Sequence, residues 1–100
     1  MKAVTIVFNI AIAEEVMDTV RKSGAKHFTQ WPRVVGNGPH TGYRMDDHVW
    51  PGANSAVLVV LEAGLAAGLM DALQVLRDSP TGRQAGVFAY QSAVERALNL

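Results

Sequence analysis

Polar and apolar residues alternate over residues 3–9 (AVTIVFN), with Val4, Ile6 and Phe8 facing one way and Thr5, Val7 and Asn9 the other. That period of two predicts a strand. The period then lengthens over residues 11–23, where Ile12, Val16 and Val20 form one stripe with Met17 beside it, the mark of an amphipathic helix. Glu14 and Glu15 in its first turn and Arg21 and Lys22 in its last complement the helix dipole, and Gly24 supplies a stop. Residues 27–35 (HFTQWPRVV) are β-rich, and Pro32 assigns them to an edge strand or a bulge. Ser55–Glu62 (SAVLVVLE) is apolar on both sides, Val57, Val59 and Leu61 on one and Ala56, Leu58 and Val60 on the other. It is predicted as a central strand covered on both faces. A second helix follows over Leu65–Asp78, with Leu65, Leu69, Ala72, Leu73 and Leu76 on a single face, and Ser79-Pro80-Thr81-Gly82 ends it. Residues 86–92 (GVFAYQS) read as a last strand, and residues 93–100 as a short C-terminal helix.

The order is β-α-β, a long connection, and β-α-β again. This is the α+β, ferredoxin-like βαββαβ sandwich: a four-stranded antiparallel sheet with two helices on one face. The other face would then carry Val7, Phe88 or Val87, Tyr90 and alternate residues of Ser55–Leu61. An apolar sheet face of that size is abnormal for a monomer, so a homo-oligomer that buries the sheet is expected.

The long connection, Val34–Ser55, spans 22 residues and concentrates four glycines, two prolines, two of the three histidines and two adjacent aspartates. Connections of that length inside a small domain are uncommon and are usually functional or disordered.

Composition narrows the picture. One hundred residues form a single domain over 1–100, and 49% hydrophobic residues suffice for a core. Nine basic and nine acidic residues cancel without segregating, so the basic stripe needed for nucleic acid is missing. The chain has no cysteine, which removes disulfides, thiolate metal sites and thiol catalysis. The N-terminus lacks a signal-peptide cleavage pattern, and the longest apolar run elsewhere, 56–61, is far too short to span a bilayer. A cytoplasmic protein with no direct membrane insertion is expected.

Several stretches resemble the PII-like superfamily, which includes the nitrogen-regulatory PII proteins and the CutA proteins. They are the opening MKAVTIVFN with the helix AEEVMDTVRKSG, the strand HFTQWPRVVGNG entering a long loop, the strand SAVLVVLE, a helix ending in SPTGR, and the closing GVFAY. The resemblance covers essentially the whole chain. It implies a homotrimer with the sheets turned toward the three-fold axis. Residues 36–52 would correspond to the T-loop that contacts a regulated partner protein, with a membrane transporter among the candidates. Thr81-Gly82 would correspond to the B-loop that helps hold nucleotide phosphates between subunits. The chain departs from PII proteins proper where they carry TGxxGDGKI: here the sequence runs Thr81-Gly82-Arg83-Gln84-Ala85-Gly86-Val87, without the GDGK part. Tyr43 lies in the loop, but its neighbours do not match those of the uridylylated tyrosine of PII.

The candidate chemistry falls into three groups. Gly36, Asn37 and Gly38 form a glycine-rich turn whose amides would suit an anion, with Thr81, Gly82 and Arg83 meeting them across a subunit cleft. The same glycines would equally serve a turn that needs positive φ. His40, Asp46 and His48 combine imidazole and carboxylate and suit a divalent metal such as Zn or Cu, although no metal-binding spacing motif is present. Tyr43, Arg44 and Trp50 are candidates for contact with a partner protein. The cofactor is left open between an adenine nucleotide and a divalent metal. No serine has a histidine near it in sequence, and Asp46 and Asp47 are adjacent and so diverge on an extended chain, so an enzyme is not expected. The expected function is a PII-like sensor: ligand binding orders Gly36–Trp50, which a partner then reads. A CutA-like metal-binding protein is the alternative, and an oligomeric scaffold without a small ligand is the third possibility.

Overall fold

The computed structural model describes residues 1–39, 42–48 and 52–99. Nine elements follow one another: β1 (Lys2–Asn9), α1 (Ala13–Lys22), β2 (Thr29–Val34), β3 (Gly36–Gly38), β4 (Gly42–Arg44), β5 (Asn54–Leu61), α2 (Ala63–Asp78), α3 (Pro80–Ala85) and β6 (Val87–Ala93). A single 3-10 turn, Ile10–Ile12, leads from β1 into α1 and is capped by Asn9, whose Oδ1 accepts from the Ala11 amide at 3.0 Å.

Four strands form one antiparallel sheet in the order β2-β5-β1-β6, and β3 and β4 pair as a separate two-stranded ribbon. The sheet order is that of a ferredoxin-like α+β fold. Register places Val4 opposite Val59 and Ile6 opposite Val57. These residues join Phe8, Leu61, Val16, Met17 and Val20 of α1, and Ala66, Leu69 and Leu73 of α2, in one buried cluster. Both long helices therefore pack on the same face. Removing each large aliphatic side chain there from water is worth about 1.5–3 kcal/mol, which is why the alternation of β1 dictates where the helices sit.

The opposite face has no covering element among the described residues. One rung runs Trp31–Ala56–Val7–Phe88 across all four strands, and the next runs Thr29–Leu58–Thr5–Tyr90. Phe88 and Tyr90 are 60% and 49% exposed, with ring centroids 5.8 Å apart. The register settles that Phe88, and not Val87, belongs to this face: Val87 packs against the core.

Pro32 produces a bulge. Trp31 pairs with Ala56 and Val34 with Asn54, so Pro32 and Arg33 together oppose the single residue Ser55. Ser55 is buried, and its hydroxyl donates to the Trp31 carbonyl at 3.1 Å while accepting from Gln30 Nε2 at 3.2 Å. The Ser55 side chain thus ties the bulge to β5 beside Pro32, which has no N–H to offer. Asn54 and Ser55 are the first two residues of β5, so the central strand begins one residue before the predicted start.

Three other expectations are corrected. Leu65 does not share the buried face of α2; it is exposed and stands beside Gly24 at the end of α1, while Ala66 takes the inward position. Ala72 is likewise exposed. Residues 94–99 form no helix. The segment Ser79–Gly82 ends α2 but also begins a further helix, α3.

Candidate functional site

Ser79 makes the sharp elbow between α2 and α3. Its ψ of 158° is extended, its Oγ accepts from the Gly82 amide at 3.1 Å, and Pro80 fills the first helical position. A serine cap followed by proline starts a helix because it satisfies one orphan amide and removes another. The same hydroxyl donates to the Leu76 carbonyl at 2.6 Å, tying the two helices together. Gly86, with φ of 89°, ends α3 and returns its amide to the Gly82 carbonyl at 2.8 Å. Replacing Ser79 by alanine is expected to lower stability by about 1 kcal/mol, read as a shift of the urea midpoint with unchanged slope.

This elbow changes the role expected of Thr81, Gly82 and Arg83. The Gly82 amide is taken by Ser79 Oγ and the Arg83 amide by the Ser79 carbonyl at 2.9 Å. Neither is left to cradle a phosphate. Gly82 is buried and is needed for packing, and Thr81 lies away from the cleft described next. What α3 offers a ligand is the Arg83 side chain.

A cleft of about 780 Å3 opens between the β3–β4 ribbon, α3 and one end of the sheet. It brings Gly36, Asn37 and Gly38 together with Gly82 and Arg83 within one chain, whereas the sequence grouping expects them to meet across a subunit cleft. Its apolar floor is Val7, Val35, Val87 and Phe88. The structure adds Arg44, Asn54, Arg77 and Asp78, which the sequence does not single out as cleft residues. Arg77 is compensated by Asp78 at 3.3 Å, and Asp78 also accepts from Gln74 Nε2 at 3.0 Å. Arg44 and Arg83 meet no carboxylate among the described residues. Gly36 has no need of positive φ, and a Cβ added there would enter open space. Nothing in the fold itself therefore demands glycine at that point of the cleft wall.

Arg44, expected on the partner-facing loop, turns inward instead and is partly buried: Nη1 donates to Asn54 Oδ1 at 3.0 Å and Nη2 to the Ala85 carbonyl at 2.7 Å. Tyr43, expected beside it, is half exposed on the ribbon.

The metal candidates are divided. Asp46 is held by Arg33, whose Nη1 lies 3.0 Å from both carboxylate oxygens. His48 is exposed, and His40, like Trp50 of the partner-loop set, lies outside the described residues. Among the described residues no three histidine, aspartate or glutamate side chains stand close enough to hold an ion, and no helix is long and apolar enough to cross a membrane.

No protein-family model matches the chain, and no curated protein matches it. Solved structures do. CPII, a nitrogen regulatory PII-like protein from Thiomonas intermedia K12 bound to ADP, AMP and bicarbonate, superposes with a TM-score of 0.70 at 21% identity, over 95% of this chain and 88% of that one. A PII-like signaling protein from Thermus thermophilus gives 0.60 at 23% identity, over 91% and 83% of the two chains. A DUF3240 family protein from Shewanella baltica gives 0.68 at 14% identity, over 99% and 96%. The chain therefore has the PII-like fold, in a form divergent in sequence.

Proposed function

We propose that this chain is a non-enzymatic, PII-like regulatory protein that binds a small anionic ligand in the cleft beside Gly36–Gly38 and signals through residues 36–52. The observation that carries this is the pairing of two guanidinium groups, Arg44 and Arg83, that meet no carboxylate among the described residues, with an apolar floor in one cleft at the root of the long segment. Its size falls within the range of about 300–1,000 Å3 typical of small-molecule sites. An apolar floor beside cationic groups suits an adenine nucleotide, base on Val35 and Val87, phosphates toward the arginines. The nucleotide and bicarbonate ligands of the similarly folded CPII support that class.

The assembly belongs to the same proposal. Val7 and Phe88 line the cleft and also lie on the uncovered sheet face. A second copy packed on that face would form the far wall of the cleft, which places the ligand at a subunit boundary in a homotrimer. The regulated partner would meet the ribbon and its following residues. Among the described residues nothing favours the metal-binding alternative, and Asp46 is engaged by Arg33.

Calorimetric titration with ADP, AMP, ATP and bicarbonate tests the reading. ADP is expected to bind, and Arg83→Ala to weaken it by roughly tenfold or more, the worth of one charge-assisted hydrogen bond. Absence of heat from all four ligands at millimolar concentration overturns the proposal.

A further inference from the structure

Arg44 ends β4, and its backbone pairs with Gly36 of β3, so the side chain and the ribbon form one piece. Its stem passes beside Gly52, with Cγ and Cδ 3.8 Å from where a Cβ would stand. The guanidinium then bridges Asn54, the first residue of β5, and Ala85, the last of α3. One side chain thereby joins the ribbon to two walls of the cleft.

A guanidinium carries five N–H donors, and these contacts engage two of its nitrogens with neutral acceptors only. A phosphate or carboxylate is a stronger acceptor than an amide, and charge-assisted bonds are roughly twice as strong as neutral ones. We propose that Arg44 couples the cleft to the long segment. An anionic ligand takes up its remaining N–H groups, fixes the side chain against Asn54 and Ala85, and so orders the ribbon and the residues that follow through Asp46. This rests on the anion-binding reading of the cleft. It adds that occupancy is reported through one side chain, not through the cleft wall as a whole.

The test uses ADP as probe and two variants of the full chain, Arg44→Gln and Arg44→Lys. ADP affinity is read by calorimetry, and order by hydrogen exchange of the amides of residues 36–38 and 42–46. In the natural sequence, saturating ADP is expected to slow that exchange by about tenfold or more, the worth of one hydrogen bond to a charged group. Arg44→Gln is expected to exchange faster without ligand and to bind ADP roughly tenfold more weakly, the same worth lost from the ligand side. At saturation its ribbon no longer slows. Arg44→Lys retains the charge, hence more of the affinity, but loses the two-point bridge and shows the same missing response. Circular dichroism confirms that both variants fold, and the lysine variant carries the test if the glutamine variant does not.

A variant ribbon that slows under ADP as the natural one does would reduce Arg44 to a structural tie and overturn the inference. A natural ribbon indifferent to bound ADP overturns it as well, while leaving the binding reading intact. No ADP heat in the natural protein overturns the inference, and no heat from AMP, ATP and bicarbonate either overturns the binding reading with it.

Discussion

Gly82→Ala is expected to destabilise the protein by about 3 kcal/mol, at the upper end for overpacking a filled interior. An added Cβ would collide with the Leu76 carbonyl oxygen and lie 2.8 Å from its carbon and 3.0 Å from Arg77 Cα. These are backbone atoms, so no side-chain rotation relieves the clash; the elbow between α2 and α3 has to open. That elbow also holds the Leu76 carbonyl on Ser79 and carries Ala85, the acceptor for Arg44. For a domain of this size the loss corresponds to a drop in melting temperature of more than about 10 °C. A calorimetric scan checks it. A melting point close to that of the natural protein would show that α3 does not pack on the end of α2 as described.

Leu58→Glu is expected to dissolve the proposed trimer while leaving the fold intact. Leu58 lies in the middle of the uncovered sheet face, opposite Thr5 on one side and Thr29 on the other. In an isolated molecule its side chain points away from the helices, so the change costs at most about 1 kcal/mol in strand preference. In a trimer it buries an unpaired carboxylate at each subunit contact, which costs several kcal/mol per copy. Sedimentation equilibrium at micromolar concentration should show a trimer for the natural sequence and a monomer for the variant. If the cleft needs its second wall, ADP heat disappears with the assembly. A natural protein that is already monomeric removes both expectations.

The parts of the fold legible in the sequence are those in which side chains repeat with the backbone. Val4, Ile6 and Phe8, or Val16, Met17 and Val20, announce their burial because their spacing matches a strand or a helix. The hidden parts lack such a repeat. The strand β3 is Gly-Asn-Gly and offers no alternation to read, so the sequence conceals the ribbon inside the long connection. The helix α3, PTGRQA, is too short for an apolar stripe. Its signal lies in its ends: a serine and proline to start, and Gly86 at positive φ to stop. Leu65 misleads because a leucine at helical spacing suggests the core, whereas it stands exposed beside Gly24 and Ala66 takes the inward position. In the cleft, Gly36–Gly38 and Arg83 are recognisable as small residues and a cation, but Gly36–Gly38 is a strand and not the turn that its glycines suggest. Arg44, Asn54 and Arg77 come from three separate elements, and only the folded chain brings them together.

The bulge at Pro32 bears on how the protein behaves when crowded. A sheet with two open borders invites its copies to join border to border without end, which is the route to fibres. The β2 border here is broken by a proline and by the two-against-one count opposite Ser55. That leaves β6, whose only strand partner among the described residues is β1, as the border able to accept another strand. One competent border permits a pair but no propagating filament. In the proposed trimer, face-to-face closure is then the association left to the uncovered sheet.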